Sequence, residues 1–80
     1  MRVELVTREG CHLCDEAEKQ LLCLGLEVHA RNVDADAELF RLYDFRVPVV
    51  LFEGRVIGEG KLDAAAIRAA LVGHFHQDQD

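Results

Sequence analysis

The sequence is poor in proline, in cations, in long apolar runs and in cysteine. Proline occurs once in 80 residues, while half of the residues are hydrophobic. That balance excludes a disordered chain and points to a packed domain. Nine Lys and Arg stand against 15 Asp and Glu, for a formal net charge of −6. Nucleic-acid binding rests on cationic contacts to phosphate, so neither nucleic acid nor an anionic membrane surface is an expected partner. The charge reads as solubility. No apolar run approaches the roughly 20 residues needed to span a bilayer. The start, Met1-Arg-Val-Glu-Leu-Val6, carries an acid where a signal peptide needs an apolar stretch. A cytoplasmic protein is expected. Cysteine occurs three times, an odd number and few for a disulfide-stapled secreted scaffold. A chain of this length buries only about two-thirds of its surface. One domain with one modest core is expected over residues 1–73, followed by a polar, frayed tail over 74–80.

Two of the three cysteines stand in Cys11-His-Leu-Cys14, between an apolar run and a helical pattern. On the first turn of a helix, cysteines at this spacing can form and break a disulfide with little backbone movement. The unpaired N–H groups and partial positive charge of a helix N-terminus favour a thiolate there. A thiolate is the species that attacks disulfides. Cys11, at the exposed tip, is the expected nucleophile, and Cys14, one turn in and more buried, the expected resolving thiol. The competing reading is half of a zinc site. Zinc needs four ligands, usually from two such pairs, and only Cys23, His12, His29 and the tail histidines remain, none repeating the spacing. No metal is expected, and His74 and His76 read as part of the tail rather than as a shared metal site. Cys23 lies about 18 Å from Cys11 along one helix, at roughly 1.5 Å per residue. A bond between them within the folded chain is excluded by geometry. Cys23 reads as a small, semi-buried residue, with an intermolecular bond as the alternative.

Arg2 to Thr7 is rich in β-branched residues and short, which predicts a strand. A helix follows from about Cys11 to Leu24, with Leu13, Ala17, Leu21 and Leu24 as its apolar stripe, ended by Gly25. Leu26 to Val33 reads as a second strand. A short helix spans about Ala35 to Asp44, capped by Asp34 or Asp36, with Leu39, Leu42 and Tyr43 on one face. Val47 to Phe52 is a buried strand, turning at Glu53-Gly54 into Arg55 to Gly58 as a β-hairpin. A last helix runs from about Ala64 to Val72. Asp63 is its N-cap, Leu62 and Ile67 form a hydrophobic staple, and Gly73 ends it. The order is β-α-β-α-β-β-α. The first β-α-β should be a right-handed parallel crossover, with the hairpin antiparallel in the same four-stranded mixed sheet and three helices covering both faces.

This order is similar to that of the thioredoxin fold in its smallest form, an α/β class. The run Cys11 to Ala17, Cys-His-Leu-Cys-Asp-Glu-Ala, resembles the motif of the short glutaredoxin-like family. Thr7-Arg-Glu-Gly-Cys11, Arg46-Val-Pro-Val49 and Gly58-Glu-Gly-Lys-Leu-Asp63 extend the resemblance over nearly the whole chain. The resemblance implies a thiol–disulfide oxidoreductase with no built-in cofactor and with glutathione or a reductase as electron donor. Its substrate would be a disulfide-containing protein or a glutathione mixed disulfide, and its unit a monomer. It also implies a cis Val47-Pro48 bond facing the cysteines, with the Val47 backbone free to pair with a substrate as an added strand. Arg8 would lie near a glutathione carboxylate or favour the Cys11 thiolate by charge; the alternative is a solvated surface arginine. Gly58, Gly60 and Asp63 keep part of the glutathione-binding motif, with Asp63 otherwise a helix cap. Two places depart from ordinary glutaredoxins: His12-Leu13 stands where Pro-Tyr is common, and Arg46 where Thr is common before Val-Pro. Glu9, Asp15 and Glu16 oppose a thiolate and repel glutathione, and Asp15 and Glu16 also suit a helix N-terminus. The rival class is a non-enzymatic adaptor, or a dimer bridging an iron–sulfur cluster through Cys11 and glutathione.

Overall fold

A computed structural model describes residues 1–79, with side chains through Gly73. The elements are β1 (Arg2–Thr7), α1 (His12–Cys23), β2 (Glu27–Asn32), a 3-10 turn (Val33–Ala35), α2 (Ala37–Tyr43), β3 (Val49–Phe52), β4 (Arg55–Glu59) and α3 (Ala64–Gln79). The four strands form one mixed sheet in the order β2-β1-β3-β4. β1 runs parallel to β2, with Val3 opposite Val28 and Thr7 opposite Asn32. It runs antiparallel to β3, and β3 antiparallel to β4. The fold class and element order read from the sequence are those observed, with the 3-10 turn as the added piece. Among the described residues no helix is long and apolar enough to cross a membrane.

β3 buries both of its faces and β1 contributes buried residues to each, so the sheet has two cores. Val3, Leu5, Val50 and Phe52 pack with Ala17 and Leu21 of α1 and Ile67 and Leu71 of α3. On the opposite face Val6, Val49 and Leu51 pack with Val33 and Leu39. β3 reads Val-Val-Leu-Phe, with all four residues buried, the continuous apolar run a strand needs when both faces are covered. The hairpin turns through Glu53 (φ 51) and Gly54 (φ 81). Positive φ at both central residues is what a type I′ connection requires, and its twist matches that of the flanking strands.

Several local expectations shift. In α1 the buried stripe is Cys14, Ala17 and Leu21, whereas Leu13 is exposed. Spacings of three and four put Cys14, not Leu13, over the core. Leu42 is likewise exposed, leaving Leu39 and Tyr43 as the packed face of α2. Gly25 does end α1. At φ +79 it lets Gly25 N–H reach Leu22 O and Leu26 N–H reach Leu21 O, the paired bonds of a Schellman ending. Gly73 does not end α3, which continues to Gln79. A glycine stops a helix by turning left-handed, and Gly73 has no positive φ. The expected pairing of Asp63 with the start of α3 holds: its Oδ1 accepts the Ala65 N–H at 3.0 Å, and Leu62 and Ile67 are both buried beneath the cap. The histidine side chains of the tail, His74 and His76, lie outside the described residues.

Gly58 lets α3 approach β4. A Cβ there would stand 2.5 Å from Ile67 Cδ1 and 3.2 Å from Leu62 Cδ2, and both side chains are buried. Gly58→Ala should lower stability by about 1–3 kcal/mol through overpacking. Ile67→Val removes the opposing methyl and alone should cost about 0.5–1.5 kcal/mol. Urea denaturation of both single variants and the double variant checks this. The double variant is expected to lose less than the two singles together, and strict additivity would show that the two atoms do not compete.

Candidate functional site

Val6 pairs with Val49 across the β1–β3 ladder, so the end of β1 meets the start of β3. Thr7 pairs with Asn32, and Val49 with Glu59, which brings the ends of β2 and β4 to the same edge. The sheet geometry thus gathers the residues following Thr7, those preceding Val49, the turn after β4 and the segment after Asn32. These hold nearly every residue singled out in the sequence.

Gly10, at φ +78, turns the chain from β1 into α1. Cys11 is the N-cap, in extended conformation (φ −92, ψ 107). Its Sγ accepts the backbone N–H of Cys14 at 3.1 Å, taking one of the donors that a helix start leaves unpaired. An N–H aimed at the sulfur, together with the positive end of the helix, favours negative charge on Cys11. Cys11 and Cys14 form a disulfide, with their Cα atoms 5.2 Å apart. The two sulfurs differ in access: Cys11 is partly exposed, whereas Cys14 is 1% exposed. Beside Cys14 lies a cleft of about 300 Å³ lined in part by Thr7, Glu9, Asp15, Glu18 and Asn32. Cys23 is free and exposed rather than semi-buried, on the last turn of α1. Among the described residues no group of three or more His, Cys, Asp or Glu is placed to hold a metal ion.

Val47-Pro48 is cis. Pro48 O accepts the N–H of Gly60 at 2.8 Å, and Gly60 adopts φ +67 to deliver it. β3 begins only at Val49, so Val47 stands outside the ladder, two residues later than the sequence pattern placed the strand start. Immediately before it, the Arg46 guanidinium donates to Glu59 at 2.7 and 3.2 Å and lies 5.2 Å over the Tyr43 ring. Phe45 is 97% exposed.

Arg8 is the electrostatic centre of this edge. Its Nε and Nη2 donate to the two oxygens of Asp34, both at 2.9 Å. Nη2 also donates to the Asp44 carboxylate, and Nη1 to Asp44 O at 3.2 Å. One guanidinium therefore joins the turn before Cys11 to the 3-10 turn and to the end of α2. Asp36, the other acid considered as a cap, accepts from Glu38 N–H and Leu39 N–H and caps α2. Asp34, Asp44 and Glu59 carry ion-pairing roles that sequence reasoning missed. The Arg8 partners lie 26 and 36 residues away, and no local spacing signals them.

Hydrogen bonding to Arg8, with a smaller charge–charge contribution, holds the Asp34 carboxyl below its ordinary value. The Arg8 pKa is raised by the same bond, then by that to Asp44. Glu59 is lowered in the same way by Arg46. A carboxyl depressed in the folded state binds fewer protons there than in the unfolded chain, so it stabilises above its unfolded value of about 4. That contribution disappears as pH falls through the lower, folded value. Asp34→Asn should lower the urea midpoint near neutral pH and differ little from the parent at about pH 2, where both lack the charge. An equal deficit at both pH values would show that the contribution is not ionic.

Three solved structures, of two proteins, share this architecture. The protein XcR50 from X. campestris, solved by X-ray, is 34% identical, with 89% of this chain and 96% of that chain covered and a TM-score of 0.78. Its solution structure gives 35% identity, 91% and 95% coverage and a TM-score of 0.75. The protein Ne2328 from Nitrosomonas europaea, solved by NMR, is 35% identical over 86% of this chain and 88% of that one, with a TM-score of 0.77. No curated protein matches the chain. Residues 2–72 match the family described as Glutaredoxin-like domain (DUF836). With its CxxC pair at disulfide distance on a thioredoxin-like fold, the chain belongs to this glutaredoxin-like family.

Proposed function

We propose that the protein is a thiol–disulfide oxidoreductase in which the Cys11–Cys14 dithiol reduces or exchanges disulfides. The observation that carries this reading is the inequality of the two sulfurs. Cys11 is partly exposed at the helix cap and its Sγ accepts a backbone N–H, whereas Cys14 is buried. The reduced Cys11 thiolate attacks one sulfur of a substrate disulfide, and the other substrate sulfur leaves as a thiolate. Cys14 then attacks Cys11 Sγ, closing the internal disulfide and releasing the second substrate thiol. Two electrons pass from the protein dithiol to the substrate disulfide. A thiol donor, glutathione or a dithiol reductase, returns the protein to its reduced form.

Val47 and Pro48 border the reacting sulfurs in this reading. Val47, outside the ladder, offers its backbone to an extended substrate segment, and Gly60 steadies it by binding the Pro48 carbonyl. Arg8 and Asp63 act by position: Arg8 ties the CxxC turn to α2, and Asp63 caps α3. No resident cofactor is invoked. The unit is a single chain, since both cysteines and the Val47-Pro48 segment come from one protomer, and the setting is a reducing cytoplasm, where a lone CxxC reads as redox-active.

Exposure of single-cysteine variants to an excess of disulfide substrate, followed by mass spectrometry, tests the order of attack. Cys14→Ser should accumulate a mixed disulfide at Cys11, and Cys11→Ser should accumulate none at the buried Cys14. Equal trapping by both variants would overturn the assignment of roles.

A further inference from the structure

The charges and apolar groups around Cys11 point to a narrower class of substrate, an inference that rests on the oxidoreductase reading above. We propose that the site docks a disulfide carried on a protein segment bearing an apolar side chain and Lys or Arg beside the disulfide, in preference to an anionic small disulfide such as oxidised glutathione.

The cations nearest the dithiol are already engaged. Arg8, three residues before Cys11, is held by Asp34 and Asp44. Arg46, next to Val47, is held by Glu59 and rests on the Tyr43 ring. A ligand carboxylate would have to displace a carboxylate of the protein from either one. Glu9 and Asp15 flank the cysteines in exposed positions, and Glu16 pairs with His12 at 3.2 Å when the imidazole is protonated. Lys61, exposed after Gly60, is the cation on the other flank. The balance at the rim is negative, as it is for the whole chain. Such a field attracts cationic partners and slows anionic ones.

The apolar part of the rim is equally specific. Leu13, between the two cysteines, is 43% exposed, and Phe45 is 97% exposed. Phe45 sits on an anchored turn: Arg8 binds the carbonyl of the preceding Asp44, and Arg46 N–H donates to Tyr43 O at 2.9 Å. The same Arg8 accepts the Cys11 N–H through its carbonyl at 3.2 Å. The ring is thus tethered, through one residue, to the turn that carries the nucleophile. An aromatic side chain so presented gains by burial against an apolar partner, and the substrate backbone then runs past Val47.

Single-turnover reduction by the reduced full-length protein, with dithiothreitol as the preceding reductant removed, tests the proposal. The probes are two peptide disulfides alike in length, with Leu beside the disulfide and either Lys or Glu flanking it, and oxidised glutathione. The Lys peptide should react about tenfold faster than the Glu peptide or glutathione at low salt. The gap should shrink as salt shortens the screening length from about 30 Å at 0.01 M to about 3 Å at 1 M. Glu9→Gln with Asp15→Asn should narrow the gap at low salt, and Phe45→Ser should raise KM for the Lys peptide several-fold. Equal rates for the peptides, or faster glutathione, with no salt dependence, would overturn the docking proposal and leave the dithiol chemistry standing. Failure to reduce any of the three disulfides would instead overturn the oxidoreductase reading.

Discussion

Three residue pairs between β1 and β3, Glu4 with Leu51, Leu5 with Val50 and Val6 with Val49, hold the β-α-β half of the chain to the hairpin half. Everything at the site follows from that short antiparallel ladder. It sets the end of β1 beside the start of β3, and therefore the turn leading to Cys11 beside the residues that precede Val49. A slip of one residue would turn Val6 and Val49 from one core to the other. The alternation Val3 and Leu5 to one face and Val6 to the other is thus a constraint on function as well as packing. The two cores share a sheet only four strands wide, and the one polar residue in the shared segment, Glu4, is half-buried and paired with Arg31 at 3.2 Å.

On this frame electrostatics does the fine placement. Arg8 binds two acids from two different segments, and Arg46 binds a third from the last strand. Each pair is partly exposed, so its energy is modest and screened by salt. The geometric effect is larger than the energetic one. The bidentate fork of a guanidinium fixes direction as well as distance, and here it sets how the end of α2 lies against the turn before Cys11. The same pairing removes the two cations that a negatively charged ligand would seek. Placement of the loop and the polarity of the rim have one cause.

The fold was legible in the sequence wherever periodicity was strong. Arg2 to Thr7, the strand read as Val47 to Phe52 and observed from Val49, the Glu53-Gly54 turn and the Gly25 helix end all carry local signals, and the structure contains each of them. The cysteines were legible for the same reason: their spacing is itself a short-range feature. Leu13 and Cys14 show the limit. Both are apolar and adjacent, and only the packing of α1 on the sheet decides which faces in. Gly73 shows another, because a glycine permits a left-handed turn without imposing one. The clamp around Arg8 had no local signature, since Asp34 and Asp44 reach it only after the parallel crossover and α2 are in place. Gly58 read as part of a ligand motif, and the structure gives it a packing reason, the approach of Ile67.

The sulfur of Cys11 is at once a redox group and a helix cap. Those two offices form a thermodynamic cycle. A capping thiolate receives the helix field and the Cys14 N–H as an anion, while a disulfide sulfur receives them as a neutral atom, so the first turn of α1 weighs differently on the two redox states. Any preference of the folded chain for its reduced form appears, by closure of the cycle, as oxidising strength, at about 30 mV for each 1.4 kcal/mol. In the proposed oxidoreductase, charges in that first turn, such as Asp15, thereby become settings on the direction in which electrons flow. On the proposed activity, the balance between reductant and oxidant is set by editing the start of one helix, leaving the two cysteines as they are.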